Sequence, residues 1–233
     1  MVEIINEEVI KRISTLSTAV VVIILILGIN PLVVQADGST IVQISPAHTT
    51  INAGQTFTIN VICTPGQSIK LYELKLMFNS TVLQANSVTE GTIFNGYTTF
   101  FNAGTINNTA GTIVDIYGLI QGAGVVSNSG SLVSISFTAR SLSETSTTGL
   151  YNVGVTNETQ YVPVIVMNGS VSIPPNWDIN NDGICNILDL VLISNHYNEI
   201  GGYGWIREDV DNDGKVQISD LVNVSNHFAK SWR

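Results

Sequence analysis

The sequence predicts an all-β sandwich over residues 39–173, followed over residues 176–233 by a small α-helical domain built from one loop-helix unit used twice. Two observations carry this. Between 39 and 173, apolar and polar residues alternate in short β-branched runs broken by Gly, Asn and Ser, as strands with one packed and one wet face require. Beyond Pro174-Pro175-Asn176, the stretch Asp178 to Asp189 returns as Asp209 to Asp220, 31 positions on, and each copy runs into near-identical helical text.

The first 36 residues read as a targeting segment rather than part of a fold. Lys11-Arg12 precedes the apolar run Ala19 to Gly28, and Val34-Gln35-Ala36 offers a signal-peptidase site. Cleavage after Ala36 leaves Asp37 first. The other reading is an uncleaved membrane anchor, long enough from Ile13 to Val34 to span, although Asn30-Pro31 interrupts it. Both readings, signal peptide or membrane anchor, place the rest of the chain outside the cytoplasm, secreted or at the cell surface.

Within the sandwich, Gln55 to Cys63 alternates throughout and puts Cys63 on the apolar Phe57, Ile59 and Val61 face. From Ile69 to Phe78, Leu74, Leu76 and Phe78 alternate with a second face of Leu71, Glu73, Lys75 and Met77. Gly130 to Ala139 repeats the period, and Val162 to Ile173 supplies a closing strand. Phe94, Tyr97, Phe100 and Phe101 surround the Asn95-Gly96 turn, either as a platform for a flat ligand or as pins holding their own loop to the core. His48, beside Pro46-Ala47, reads as a loop residue. Five Asn-x-Ser/Thr sequons, at Asn79, Asn107, Asn157, Asn168 and Asn223, suit an exposed protein, but so polar a sequence generates them by chance. Cys63 and Cys185 read as small buried hydrophobes, not as a disulfide.

The repeated unit carries the chemistry. Its first copy has Asp178, Asn180, Asp182, Gly183, Ile184 and Asp189 at positions 1, 3, 5, 6, 7 and 12; its second has Asp209, Asp211, Asp213, Gly214, Lys215 and Asp220. Ca²⁺ takes about six to eight oxygens, and side chains at positions 1, 3, 5 and 12 with the carbonyl of position 7 wrap one ion around a turn that favours Gly at position 6. Two copies in step predict two calcium ions. The second loop has four carboxylates and the first only three, so the second is expected to bind more tightly. Two short apolar helices make little core, so metal binding is expected to drive folding of this domain.

Two departures separate the unit from an ordinary EF-hand. Position 12 is Asp rather than Glu, and Pro174-Pro175-Asn176 and Gly201-Gly202-Tyr203-Gly204 stand where preceding helices would be. With these features, Asn176 to Arg233 resembles the dockerin domain, the EF-hand-related calcium plug of cellulosome-type assemblies. The resemblance implies calcium ligation by Asp178, Asn180, Asp182, Ile184 (carbonyl), Asn186 and Asp189, and by Asp209, Asp211, Asp213, Lys215 (carbonyl), Gln217 and Asp220. It also implies partner contact through positions 10, 11, 17 and 18, here Ile187, Leu188, Ser194 and Asn195, then Ile218, Ser219, Ser225 and Asn226. The pair at positions 10 and 11 is mostly apolar where such dockerins are polar, so partner identity does not transfer. Near two-fold symmetry leads to the expectation of two binding orientations. Trp177 and Trp232 either stack to clasp the ends of the plug or leave Trp232 as a loose tail, and His196 and His227, equivalent by repeat, read as packing or partner-contact residues.

The sandwich resembles a cohesin, the receptor for dockerins, through Ala53-Gly54-Gln55-Thr56-Phe57, Leu74 to Leu83, Gly130 to Ala139 and Asn168 to Ile173. The resemblance implies an all-β jelly-roll sandwich with the Leu71, Glu73, Lys75 and Met77 face in a docking surface. The other reading packs Leu71 and Met77 under a loop. The stiff Pro174-Pro175-Asn176 linker is expected to keep the plug off its own docking face, favouring contacts between chains.

Composition narrows the function classes. A net charge of −9 with nine Lys plus Arg excludes a nucleic-acid partner, which needs a basic face. Glycoside hydrolysis needs two carboxylates about 5 to 10 Å apart, while the sandwich has only the scattered Glu73, Glu90, Asp115, Glu144 and Glu158. With no nucleophile elbow, phosphate loop or zinc spacing either, the chain reads as a non-enzyme. The expected function is calcium-dependent assembly with cohesin- or dockerin-bearing proteins, including a second copy of itself. The alternative is a carbohydrate-binding module whose sandwich holds polysaccharide and whose dockerin tethers it.

Overall fold

The computed structural model describes residues 38–140, 144–202 and 205–232. The two readings of residues 1–36 lie outside them. Among the described residues no helix is long and apolar enough to cross a membrane.

Twelve strands come first among the described residues: β1 (Thr40–Ser45), β2 (His48–Thr50), β3 (Thr56–Thr64), β4 (Leu71–Met77), β5 (Leu83–Glu90), β6 (Thr99–Asn102), β7 (Thr105–Asn107), β8 (Thr112–Ile120), β9 (Gly130–Ala139), β10 (Glu144–Thr156), β11 (Val164–Met167) and β12 (Gly169–Ile173). Two helices follow, α1 (Ile187–Asn195) and α2 (Ile218–Ser225). One sheet has the order β11-β1-β3-β9-β5; the other runs β2-β12-β10-β4-β8-β6, with β7 also on β8.

The period-two faces fold as their chemistry requires. Ile59, Val61 and Cys63 of β3, Leu74 and Leu76 of β4, and Val133, Ile135 and Phe137 of β9 are buried together between the sheets. Phe137 lies 5.8 Å from Phe57 and 5.2 Å, edge-on, from Phe78. Tyr72 spans the core: its hydroxyl donates to the Leu132 carbonyl of the opposite sheet at 2.8 Å. Gly118 makes room for it, since a Cβ there would lie 2.6 Å from the Tyr72 ring. Burial pushes the Cys63 thiol up to about 12, and Cys63 and Cys185 are both free.

Several expectations are corrected. Val162 to Ile173 is not one strand. Its first part, β11, pairs with β1, and its second part, β12, pairs with β10 and β2 in the other sheet. The crossing falls at Asn168, whose side-chain oxygen accepts from the Leu150 amide at 2.9 Å. Both new pairings at the ends of the sandwich are parallel, Thr40 to Gln43 beside Val164 to Met167 and His48 to Thr50 beside Ser170 to Ser172. His48 is a strand residue in β2, with its Nδ1 2.7 Å from Ser170 Oγ. Asn79, Asn107 and Asn157 fold their sequons into Asx turns, each side-chain oxygen accepting from the amide two residues on. Of the four aromatics near Asn95-Gly96, Phe94 is a core residue and Phe101 packs against the core, while Tyr97 and Phe100 are exposed.

Candidate functional site: two acidic loops and two apolar faces

The loops fold by the same rule, because a chain that must turn around converging carboxylates ties its own amides to them. Position 1 is fastened first: Asp178 Oδ1 accepts from Asp182 N at 3.2 Å and Oδ2 from Gly183 N at 3.0 Å, while Asp209 does the same with Asp213 N at 3.1 Å and Gly214 N at 3.0 Å. Position 12 closes the loop: Asp189 accepts from Ile179 N and Asn186 N at 2.7 and 2.8 Å, Asp220 from Val210 N and Gln217 N at 2.7 and 2.8 Å. The same bonds start each helix, with position 12 as the third residue of its first turn. Gly183 and Gly214 take φ of 97° and 90°, a left-handed turn that a side chain would strain.

Asp178, Asp189, Asp209 and Asp220 are all buried. Among the described residues none of the four pairs with a Lys or Arg side chain. Buried carboxylates without a counter-charge are expensive. In the second loop the carboxylates of Asp209, Asp211 and Asp213 also converge, with oxygens within 4.8 Å of one another. In the first loop Asn180 stands at position 3 and donates to Asp182 at 2.9 Å instead. Hard anionic oxygens gathered around glycine turns, with no Lys or Arg side chain in ion-pair contact with the four buried carboxylates among the described residues, fit a hard divalent ion such as calcium.

The helices pack through a small shared core of Cys185, Ile193, Val216 and Val224 with Trp177, Ile179 and Val210. Burial, then Asp189, Asp178 and Asp182, raise the Cys185 thiol. Of the two readings of the tryptophans, the loose tail does not hold and the clasp takes another form. Trp177 stacks on His227, with centroids 5.4 Å apart, and Trp232 instead points its indole N–H at Asp178 Oδ2, 2.5 Å away. The ends of the plug do meet, through Ala229 N to the Cys185 carbonyl and Cys185 N to the Lys230 carbonyl, both 2.8 Å. The repeat-equivalent histidines therefore diverge. His227 is a stacking residue, and His196 Nδ1 lies 3.1 Å from Glu199, whose hydrogen bond raises the imidazole above its ordinary value.

On the outer side, Ile187, Leu188 and Val191 of α1 and Ile218 and Val222 of α2 are exposed, together with Ser194, Asn195, Ser225 and Asn226. Ser219 is half-buried. Ser194 and Ser225 turn their hydroxyls back onto the carbonyls of Val191 and Val222, at 2.7 and 2.9 Å. Ile187 and Ile218, Val191 and Val222, and Tyr197 and Phe228 form repeat-related exposed pairs, leaving one apolar strip with near two-fold symmetry.

A second open face belongs to the sandwich. On β4 Glu73 and Met77 are exposed and Leu71 and Lys75 half-buried, so this is the solvent face and Met77 does not pack under a loop. Bulges interrupt the ladder on both sides of β4, between Leu74 and Leu76 against β8 and between Tyr151 and Gly154 against β10. Asp115 and Asn152 take positive φ there, at 59° and 48°, and a groove opens between the bulges. Lys75 pairs with Asp115 at 3.8 Å, and Tyr161 donates to Glu73 at 2.8 Å, a bond that raises the tyrosine hydroxyl above its ordinary value. Phe100 and Tyr117 stack beside them at 6.0 Å.

Sequence reasoning missed Arg207, Trp232 as a donor to Asp178, and Tyr161. Arg207 shows itself only in repeat register, where it stands opposite Asn176.

The chain matches the family model of the cohesin domain over residues 42–173 and that of the dockerin type I domain over residues 176–229. Among solved structures it is similar to a non-cellulosomal cohesin from the archaeon Archaeoglobus fulgidus, at 17% identity over 58% of this chain and 91% of that one, with a TM-score of 0.46. The cohesin CaCohA2 from Clostridium acetobutylicum is similar at 14% identity over 59% of this chain and 92% of that one, with a TM-score of 0.47. A chain of the Coh-OlpA-Doc918 complex from Clostridium thermocellum is similar at 12% identity over 58% and 99%, with a TM-score of 0.48. No curated protein matches the chain. Cohesin and dockerin domains are non-catalytic modules that bind each other, and dockerin type I domains bind calcium. The chain belongs to the cohesin family, and a type I dockerin domain follows its cohesin domain.

Proposed function

We propose that the protein is a non-catalytic, calcium-dependent assembly factor acting outside the cytoplasm, secreted or held at the cell surface by its first 36 residues. Its cohesin domain, residues 39–173, receives a dockerin on the outer face of β10-β4-β8-β6, and its dockerin domain, residues 176–233, inserts into a cohesin. Two calcium ions would be held by Asp178, Asn180, Asp182, Asn186, Asp189 and the Ile184 carbonyl, and by Asp209, Asp211, Asp213, Gln217, Asp220 and the Lys215 carbonyl. Bound there, calcium supplies the counter-charge that the buried carboxylates need.

The observation that carries this reading is the exposed strip on α1 and α2. Its apolar residues come in repeat-related pairs, while both helix carboxylates, Asp189 and Asp220, are turned inward. An uncharged apolar strip of this kind is what protein interfaces cover. On the cohesin face Lys75 pairs with Asp115 and the neutral Tyr161 hydroxyl holds Glu73, which leaves one carboxylate charge uncompensated on the surface offered to a partner. The presence of both domains in one chain supports a second copy of this chain as one partner. The Phe100 and Tyr117 stack supports the alternative, in which the same face holds polysaccharide.

The test is calorimetry of the separated cohesin and dockerin domains, in calcium and again in chelator. Heat that chelator abolishes is expected. No heat, with the dockerin domain folded in calcium, would remove self-assembly and move the sandwich toward carbohydrate.

A further inference from the structure

Two residues before each loop, a side chain reaches across to the second position of the other loop. Asn176 Nδ2 donates to the Val210 carbonyl at 3.0 Å, and its repeat equivalent Arg207 donates through Nε to the Ile179 carbonyl at 3.1 Å. At Arg207 the symmetry is broken. Its Nη2 also donates to the carbonyls of Pro175, at 3.0 Å, and of Asp178, and its Nη1 donates to Asn52 Oδ1 in the cohesin domain. One planar fork thus joins the first calcium loop, the linker and the turn between β2 and β3. The linker is no free spacer, since Pro174 and Pro175 are both buried. The turn is itself tied into the sandwich, through Ile51 N to the Ser172 carbonyl at 3.1 Å and Gly54 N to the Ala139 carbonyl at 2.8 Å.

We propose that Arg207 couples calcium loading of the first loop to the seating of the dockerin domain on the Asn52 turn. The two domains then form one body with calcium and part without it. This rests on the calcium reading above. Asp178 offers its carboxylate to the ion and its carbonyl to Arg207, so whatever fixes the loop also fixes the acceptors of a part-buried guanidinium that cannot be left unpaired. Coupling between two equilibria is reciprocal: if calcium seats the domain, the seat tightens calcium. Asn52 and Arg207 act here as positioning residues, since neither touches the ion.

The experiment titrates calcium into the whole protein by calorimetry for wild type, Asn52→Ala and Arg207→Ala, and follows amide exchange at Gly54 and Gln55 in calcium and in chelator. Asn52→Ala leaves every bond inside the dockerin domain in place, so it tests the coupling even if Arg207→Ala fails to fold. The expected result is a first-loop affinity weakened roughly 5-fold or more in Asn52→Ala, with exchange at Gly54 and Gln55 accelerated by chelator in wild type. Unchanged affinity in Asn52→Ala, or exchange indifferent to calcium, overturns the proposal while the calcium reading stands. A wild type that takes up no calcium removes both.

Discussion

The indole N–H of Trp232 meets the Asp178 carboxylate at 2.5 Å, so the first ligand position of the first loop has an outer donor with no counterpart on Asp209 among the described residues. The repeat equivalent of Trp232 is Gly201, which offers only its main chain, with N donating to the Gly214 carbonyl at 3.0 Å. Donors behind a ligand orient it, and removing one typically costs about 10-fold or more in metal affinity. Trp232→Phe is expected to weaken the first calcium site by that order and leave the second unchanged, as read by calorimetry.

Ligand charge is expected to set the two proposed sites apart in the other direction. Asn180→Asp adds the fourth carboxylate to the first loop and is expected to raise its affinity. Asp211→Asn is expected to lower that of the second. Equal affinities for the wild-type sites, or no response to either change, would reject the argument from charge.

Repeat symmetry predicts that either half of the strip suffices for docking. Replacing Ser194 and Asn195 by Ala, or Ser225 and Asn226 by Ala, is expected to leave binding to a cohesin largely intact, while replacing all four abolishes it. Complete loss from one pair alone would show a single orientation.

His196 closes α1, and the Glu199 hydrogen bond raises its imidazole above the ordinary, unfolded value. A raised imidazole contributes its stability in full below that unfolded value and loses it as pH rises through the folded value. Glu199→Gln is expected to lower the midpoint of the His196 ring-proton titration, followed by NMR, and to flatten the pH dependence of dockerin-domain melting between those values.

Gly118→Ala would push a methyl group into the Tyr72 ring, whose hydroxyl is held by Leu132. Overpacking of this kind costs about 1–3 kcal/mol, and the melting temperature of the cohesin domain should fall accordingly. Tyr72→Phe combined with Gly118→Ala should recover part of the loss if the clash with the hydroxyl is responsible.

The strands that sequence periodicity reveals best, β3, β4 and β9, are those with one face in the core and the other in water, because burial alone then writes the alternation. Val162 to Ile173 misleads for the same reason: apolar residues on both sides of Asn168 look continuous, and only the pairing partners show that the chain changes sheet there. The loops were legible because ligand spacing is local, with each amide-carboxylate bond closing within ten residues. Arg207 and Trp232 were not. Their partners lie 155 and 54 residues away, at Asn52 and Asp178, and no local pattern records such a meeting. Trp177 and Trp232 suggested a mutual stack by their positions, but His227 presents a flat ring to Trp177 and leaves the second indole to the carboxylate.

The parallel pairing at both ends of the sandwich has a mechanical meaning. The chain enters the cohesin domain along β1 and β2 and leaves it along β11 and β12, side by side and in the same direction in both sheets. A tether pulling at the entry and a partner pulling through the dockerin domain would drag these strands lengthwise past each other. Their hydrogen bonds would share such a load at once instead of opening one by one, so a pull applied between the two ends of this domain is the kind these pairings resist.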